Sequence, residues 1–157
     1  MKIQFWAIGK ANEPYVNAGV EEFTNRVDKY FKTAWTILPV PKNAGQMSEV
    51  ELRRKEAEMI LQGLAKDDYL VALDENGKQV TSVKLAAFLQ ARANESVKKI
   101  VFLIGGAYGL DESVLTRANY TWSLSSLTFP HQIVRLLLAE QVYRASTILR
   151  NEKYHHQ

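Results

Sequence analysis

The chain has no cysteine among its 157 residues, which excludes disulfide staples, thiolate nucleophiles and cysteine-based metal sites. Its three histidines, 131, 155 and 156, have no carboxylate or cysteine constellation around them, so no metal centre is expected. No apolar run reaches the ~20 residues that a bilayer span needs, and residues 1–3 do not open a charged, apolar and small-residue leader. A cytoplasmic protein without a membrane partner is the expectation. Charge of one sign is scarce as well: 20 Lys and Arg against 17 Asp and Glu leave +3, which permits a polyanionic partner without requiring one. Glycine and proline are few, and there is no repeat, low-complexity tract or linker. What is present, 46% hydrophobic and 24% charged residues, suits a single domain over residues 1–157 with a substantial core.

Periodicity alternates between two kinds along the whole chain. Apolar alternation over residues 3–8 ends at Gly9-Lys10, a strand and a turn. Pro14 stands where a first helical turn would begin, and Val16, Val20, Phe23, Val27 and Tyr30 recur at helical spacing. A strand over about 34–39 and a polar loop over 41–47 follow, and Ser48 with Glu51 forms a capping box for a helix whose stripe is Ala57, Ile60, Leu61 and Leu64. Residues 69–73 and 100–104 are short continuous apolar runs, the pattern of parallel strands covered on both faces. Between them Asn76-Gly77 reads as a turn, and Leu85, Ala86, Leu89 and Ala93 mark a helix. Asp111 caps a short helix to about Ala118, and residues 120–124 read as the last strand. This order predicts an α/β fold, a mostly parallel sheet covered by helices. The closing helix, about 131–150, is apolar on more than one stripe, so it is either a central buried helix or an interface with a second copy.

Three strand ends could gather a ligand: Leu73-Asp74, Ile104-Gly105 and Leu124-Ser125. Gly105, Gly106 and Gly109 let a ligand approach backbone, although their spacing matches neither the dinucleotide fingerprint nor the phosphate loop, and a tight structural turn fits them equally. Asp74 and Glu75 beside Asn76-Gly77 read as a solvated turn. Residues 123–131, Ser-Leu-Ser-Ser-Leu-Thr-Phe-Pro-His, carry four hydroxyls among spaced apolar side chains between a strand and a helix, and read as a binding loop. Glu140 and Arg144 form an i, i+4 pair on a mostly apolar helix, where such a pair has little reason to be decorative. The terminal Tyr154-His155 is either a frayed end or a basic aromatic arm able to stack on an unpaired base.

Together these motifs are more specific than any one of them. Leu-Ile-Gly-Gly-x-x-Gly-Leu at 103–110, Trp-Ser-Leu-Ser-x-Leu-Thr-Phe-Pro-His at 122–131, Val134-Arg135 with residues 139–145, and Tyr154-His155 resemble, in order and spacing, the small bacterial SPOUT-class methyltransferases that modify N3 of a pseudouridine in 23S ribosomal RNA. The resemblance runs from the opening strand to the tail. It implies a C-terminal trefoil knot, which ordinary connection rules disfavour, a homodimer, and S-adenosylmethionine bound at Leu73, Gly105, Leu124, Ser125, Ser126, Leu127, Thr128 and Phe129. It further implies a target base surrounded by Glu140, Arg144, Tyr154 and His155, with His155 or a water accepting the imide proton, and a substrate met within the ribosome. Two other readings of the same loops are a non-catalytic nucleotide- or RNA-binding module and a flavodoxin-like phosphate or flavin binder. The apolar Leu124, Leu127 and Phe129 weigh against the latter, since a phosphate favours a glycine-dense nest.

Overall fold

The short apolar runs become the strands of one sheet, and each is followed by a helix that covers it. In the computed structural model, which describes residues 1–156, the order is β1 (Lys2–Ile8), α1 (Pro14–Asp28), β2 (Thr33–Leu38), α2 (Glu49–Gly63), β3 (Tyr69–Lys78), α3 (Ser82–Asn94), β4 (Lys99–Ile104), α4 (Glu112–Arg117), β5 (Tyr120–Trp122) and α5 (His131–Leu149). The sheet order is β2-β1-β4-β3-β5, and all four pairings are parallel.

Side-chain alternation sorts the strands into two cores. Ile3, Phe5, Val71, Ile100 and Phe102 face α1, α3 and α5, where they meet Val27, Leu85, Leu89, Leu138 and Val142. Trp6, Ile8, Leu70, Val101 and Leu103 face α2 and α4 through Ala57, Ile60 and Val114. Each such buried aliphatic side chain contributes ~1.5–3 kcal/mol, which makes these alternating positions the main source of stability.

Two of the helix starts are capped by the side chains expected to cap them, with one bond of the Ser48/Glu51 capping box formed. Ser48 Oγ accepts a hydrogen bond from the Glu51 N–H (3.2 Å), and Asp111 caps α4 by accepting from the Ser113 N–H (3.0 Å). Asn76-Gly77, by contrast, does not end a strand. β3 continues to Lys78 with a bulge, since Leu73 and Lys78 both pair with Trp122. Gly77 is needed there because a Cβ would lie 2.7 Å from the Thr121–Trp122 peptide. β5 is correspondingly short, ending at Trp122 rather than Leu124, and the Ser123 N–H, donating to Lys78 O (2.9 Å), is its last link to the end of β3.

α5 is the central helix of its layer, packed between α1 and α3. Arg135, Leu138, Ala139, Val142 and Ala145 point inward. At Gly19 in α1 a Cβ would stand 2.7 Å from Leu136 Cδ1, so this mid-helix glycine lets the two helices meet closely. Arg135, only 2% exposed, donates from Nη2 to Ile8 O (3.1 Å) and Gly9 O (2.8 Å), which pegs the start of α5 to the end of β1.

Candidate active site

Leu73 of β3, just before the bulge, stands opposite Ile104, the last residue of β4, on one side and Trp122, the last residue of β5, on the other. This end of the three strands opens into a cleft of about 770 Å³, a size typical of small-molecule sites. Of the eight residues expected to hold a cofactor, Leu73, Gly105, Leu124, Ser125, Leu127, Thr128 and Phe129 line it. Ser126 does not, and its hydroxyl accepts from Gln79 Nε2 at 2.8 Å. The hydroxyls of residues 123–128 shape the loop: Ser123 Oγ donates to Ser125 O (3.1 Å), and Ser125 Oγ accepts from the Leu127 N–H (3.0 Å). Leu124, Leu127 and Phe129 are left to form apolar wall, Leu127 standing 71% exposed at the mouth.

Charge in the cleft is lopsided. Asp74, Glu75, Asp111 and Glu112 line it against a single cation, Arg53. The β3 bulge carries Asp74 and Glu75 onto the wall instead of into a solvated turn. Hydrogen bonds from the Ser113 hydroxyl and N–H hold the Asp111 carboxyl below the usual carboxylate range. These acids were present in the sequence as neighbours of Leu73 and Gly109, but only the bulge and the α4 cap aim them at one space. Arg53 reaches the cleft from α2 and contacts Tyr108 O at 3.5 Å, and nothing local marks it in the sequence.

The four residues expected around a base form a second unit. Glu140 Oε1 accepts from Arg144 Nε (3.0 Å), Arg144 Nη2 (2.5 Å) and Tyr154 Oη (3.1 Å). Arg144 Nη1 lies 3.2 Å from His155 Nδ1. A guanidinium only donates, so Nδ1 is the acceptor and the ring proton sits on Nε2. The Arg144 guanidinium also stacks 4.8 Å from the Tyr154 ring centroid. Burial first, then the Glu140 charge and hydrogen bond, raises the Tyr154 phenol above its ordinary value.

The tail reaches this cluster through its helix end. Asn151 adopts a left-handed φ of 55°, its N–H donates to Ile148 O (3.1 Å), and the Glu152 N–H donates to Thr147 O (3.0 Å). That pair of bonds is the Schellman stop, with asparagine in the left-handed position. It folds residues 153–156 back along α5. Tyr30, two residues beyond α1, donates its hydroxyl to Glu152 Oε2 (2.7 Å), and Tyr143 packs edge-on to Tyr154 at 4.6 Å.

The two units are apart within one chain. Val134 lines the cleft, but none of Glu140, Arg144, Tyr154 and His155 does. Glu140 and Arg144 lie six and ten residues farther along α5, ~9 and ~15 Å at the helical rise. Among the described residues no group of three His, Asp or Glu could hold a metal ion, and no helix is long and apolar enough to cross a membrane.

A family model described as "Predicted SPOUT methyltransferase" matches residues 1–155. Curated relatives bearing the name ribosomal RNA large subunit methyltransferase H are 45% identical over 157 residues in Flavobacterium johnsoniae and 42% identical over 157 residues in Parabacteroides distasonis, each covering 100% of both chains. Among solved structures, a probable methylase family protein from Haemophilus influenzae superposes with a TM-score of 0.55 at 15% identity, over 99% of this chain and 70% of that one. A structure described by the 2-OH methylation of C/U34 on tRNA gives 0.50 at 17% identity, over 93% and 97%. At such identities these two likenesses speak for the fold alone.

Proposed function

The chain belongs to the SPOUT methyltransferases, in the ribosomal RNA large subunit methyltransferase H family, and from that premise we propose that it transfers a methyl group from S-adenosylmethionine to N3 of a pseudouridine in 23S ribosomal RNA within the assembled ribosome. The observation that carries this reading is the cleft at the three strand ends, apolar on the loop side and acidic on the other. Four carboxylates against one guanidinium repel a phosphate and suit a ligand with positive charge. That weighs against the nucleotide-binding and flavin-binding alternatives.

When bound, S-adenosylmethionine supplies a methyl group already activated on a cationic sulfur. Leu73, Leu124, Leu127 and Phe129 would hold the adenosine part, while Gly105 and the backbone at Ser125 and Thr128 would meet its polar edge, and Ser126, outside the lining, would fix the loop through Gln79. The remaining work is positioning the nucleophilic nitrogen and excluding water. Arg144, held from one side by Glu140 and stacked on Tyr154, presents a fixed positive charge to the imidate formed when N3 loses its proton. His155 or a water takes that proton. For the ring to accept it, Nδ1 must exchange its contact with Arg144 for one with the base.

Because the cluster does not reach the cleft of its own chain, the reading requires a homodimer in which one subunit's cleft meets the other's tail. The C-terminal part is tied in the family's trefoil knot, and a ribosomal substrate places the activity in the cytoplasm. A net charge of only +3 suits an RNA presented with its ribosomal surroundings rather than captured as naked RNA.

Two measurements test the proposal. Calorimetry with S-adenosylmethionine should give saturable binding at one cleft per subunit. Mass mapping of ribosomal RNA from a deletion strain, with and without the purified protein and labelled cofactor, should show a single pseudouridine gaining one methyl group. Absence of cofactor binding would sink the enzyme reading, and an unchanged pseudouridine would redirect the substrate.

A further inference from the structure

One carboxylate in the molecule is buried beneath the cleft without any charge to match it. Glu56 lies on α2 and is 5% exposed, yet it belongs to none of the ion pairs among the described residues. Its oxygens press against Gly106: a Cβ there would stand 2.4 Å from Oε2 and 2.8 Å from Oε1. Gly106 itself lines the cleft and Glu56 does not, so the carboxylate stands behind this glycine. Burial pushes the Glu56 carboxyl up from the ordinary range, as expected for a charge largely withdrawn from water and given no ion-pair partner. Such a group burdens the empty protein, and its natural compensation is a cation supplied by the ligand.

Resting on the cofactor reading above, we propose that Glu56 is the counter-charge for the positively charged sulfur of S-adenosylmethionine, acting across the Gly106 backbone. Glu56 then serves as a positioning and specificity residue that favours the methyl donor over the demethylated product. Methyl transfer leaves a neutral thioether, so the attraction ends when the reaction does, and the spent cofactor leaves more easily than the donor. The acids on the cleft wall act in the same direction from the solvent side, but Glu56 is the one that water screens least.

The test compares binding of S-adenosylmethionine and S-adenosylhomocysteine to the purified full chain by calorimetry, in wild type and in Glu56→Gln, which keeps the shape and removes the charge. The expected result is a loss of donor affinity on the order of tenfold with product affinity nearly unchanged, and a thermal midpoint without ligand that is equal or higher. Glu56→Met, also neutral, repeats the measurement if the glutamine variant does not fold. Equal weakening of both ligands, or an unchanged ratio in a folded neutral variant, overturns the role of Glu56 and leaves the cofactor reading intact. A lowered midpoint in both variants marks a structural carboxylate and overturns it too. Wild type that binds neither ligand overturns both.

Discussion

His155 meets Arg144 through Nδ1, and that single contact limits what the ring can do. With its Nδ1 lone pair turned to a guanidinium, the ring can serve as a base only when the target nitrogen displaces Arg144. His155→Ala should therefore lower the single-turnover methylation rate at neutral pH by ~100-fold or more, the usual range for a lost general base. The deficit should shrink as pH rises toward the imide's own ionisation, where solvent removes the proton unaided. Wild-type rates across pH in the variant would assign that step to water. The role of Arg144 was half legible in the sequence, where i, i+4 spacing pairs it with Glu140. That the same guanidinium also holds Tyr154 and His155 depends on eleven residues of chain folding back, which spacing alone does not give.

At the scale of elements, the tail is held by its helix stop and by α1. Asn151 makes the left-handed turn, Tyr30 pins Glu152, and Tyr143 packs on Tyr154. Burial and the Glu152 carboxylate push the Tyr30 phenol up to about 12. Since the folded value exceeds the unfolded one near 10, this hydrogen bond contributes its full stability below pH 10, and the contribution is lost as pH rises through about 12. Tyr30→Phe should flatten the fall in stability between those values, read by denaturant unfolding at a series of alkaline pH; a slope identical to wild type would show that the tail is held elsewhere. The apolar periodicity of α1 extended to Tyr30 in the sequence, yet the helix ends at Asp28, and Tyr30 instead turns to the tail. Local periodicity cannot register a partner 122 residues away. The Asn76-Gly77 bulge has the same cause: a pair that favours a turn in isolation is kept in β3 because Lys78 finds a partner in Trp122.

For the whole molecule, the proposed function requires that cleft and cluster come from different copies. Gly105→Leu would fill the cleft of one subunit, and His155→Ala would disable the tail of the other; each homodimer alone should be inactive or nearly so. Mixing and reassociating the two should restore about a quarter of wild-type activity, since half the dimers are mixed and each carries one intact composite site. No recovery under conditions of subunit exchange would mean that each chain serves its own cleft. The outward line of α5 through Ile133, Leu137, Glu140 and Arg144 continues from the cleft side to the cluster, as an interface joining both would require.

The sequence by itself determined the alternation of strand and helix, the apolar runs that become strands, and the capped helix starts, because each is written in residues close along the chain. Tertiary structure alone decided that Asp74, Glu75, Asp111 and Glu112 share one cleft with Arg53, that Glu56 lies unpaired behind Gly106, and that the tail closes on Arg144. Those facts concern where charges stand relative to one another in space. Electrostatic interaction depends on that separation and on burial, neither of which is written in the order of the residues.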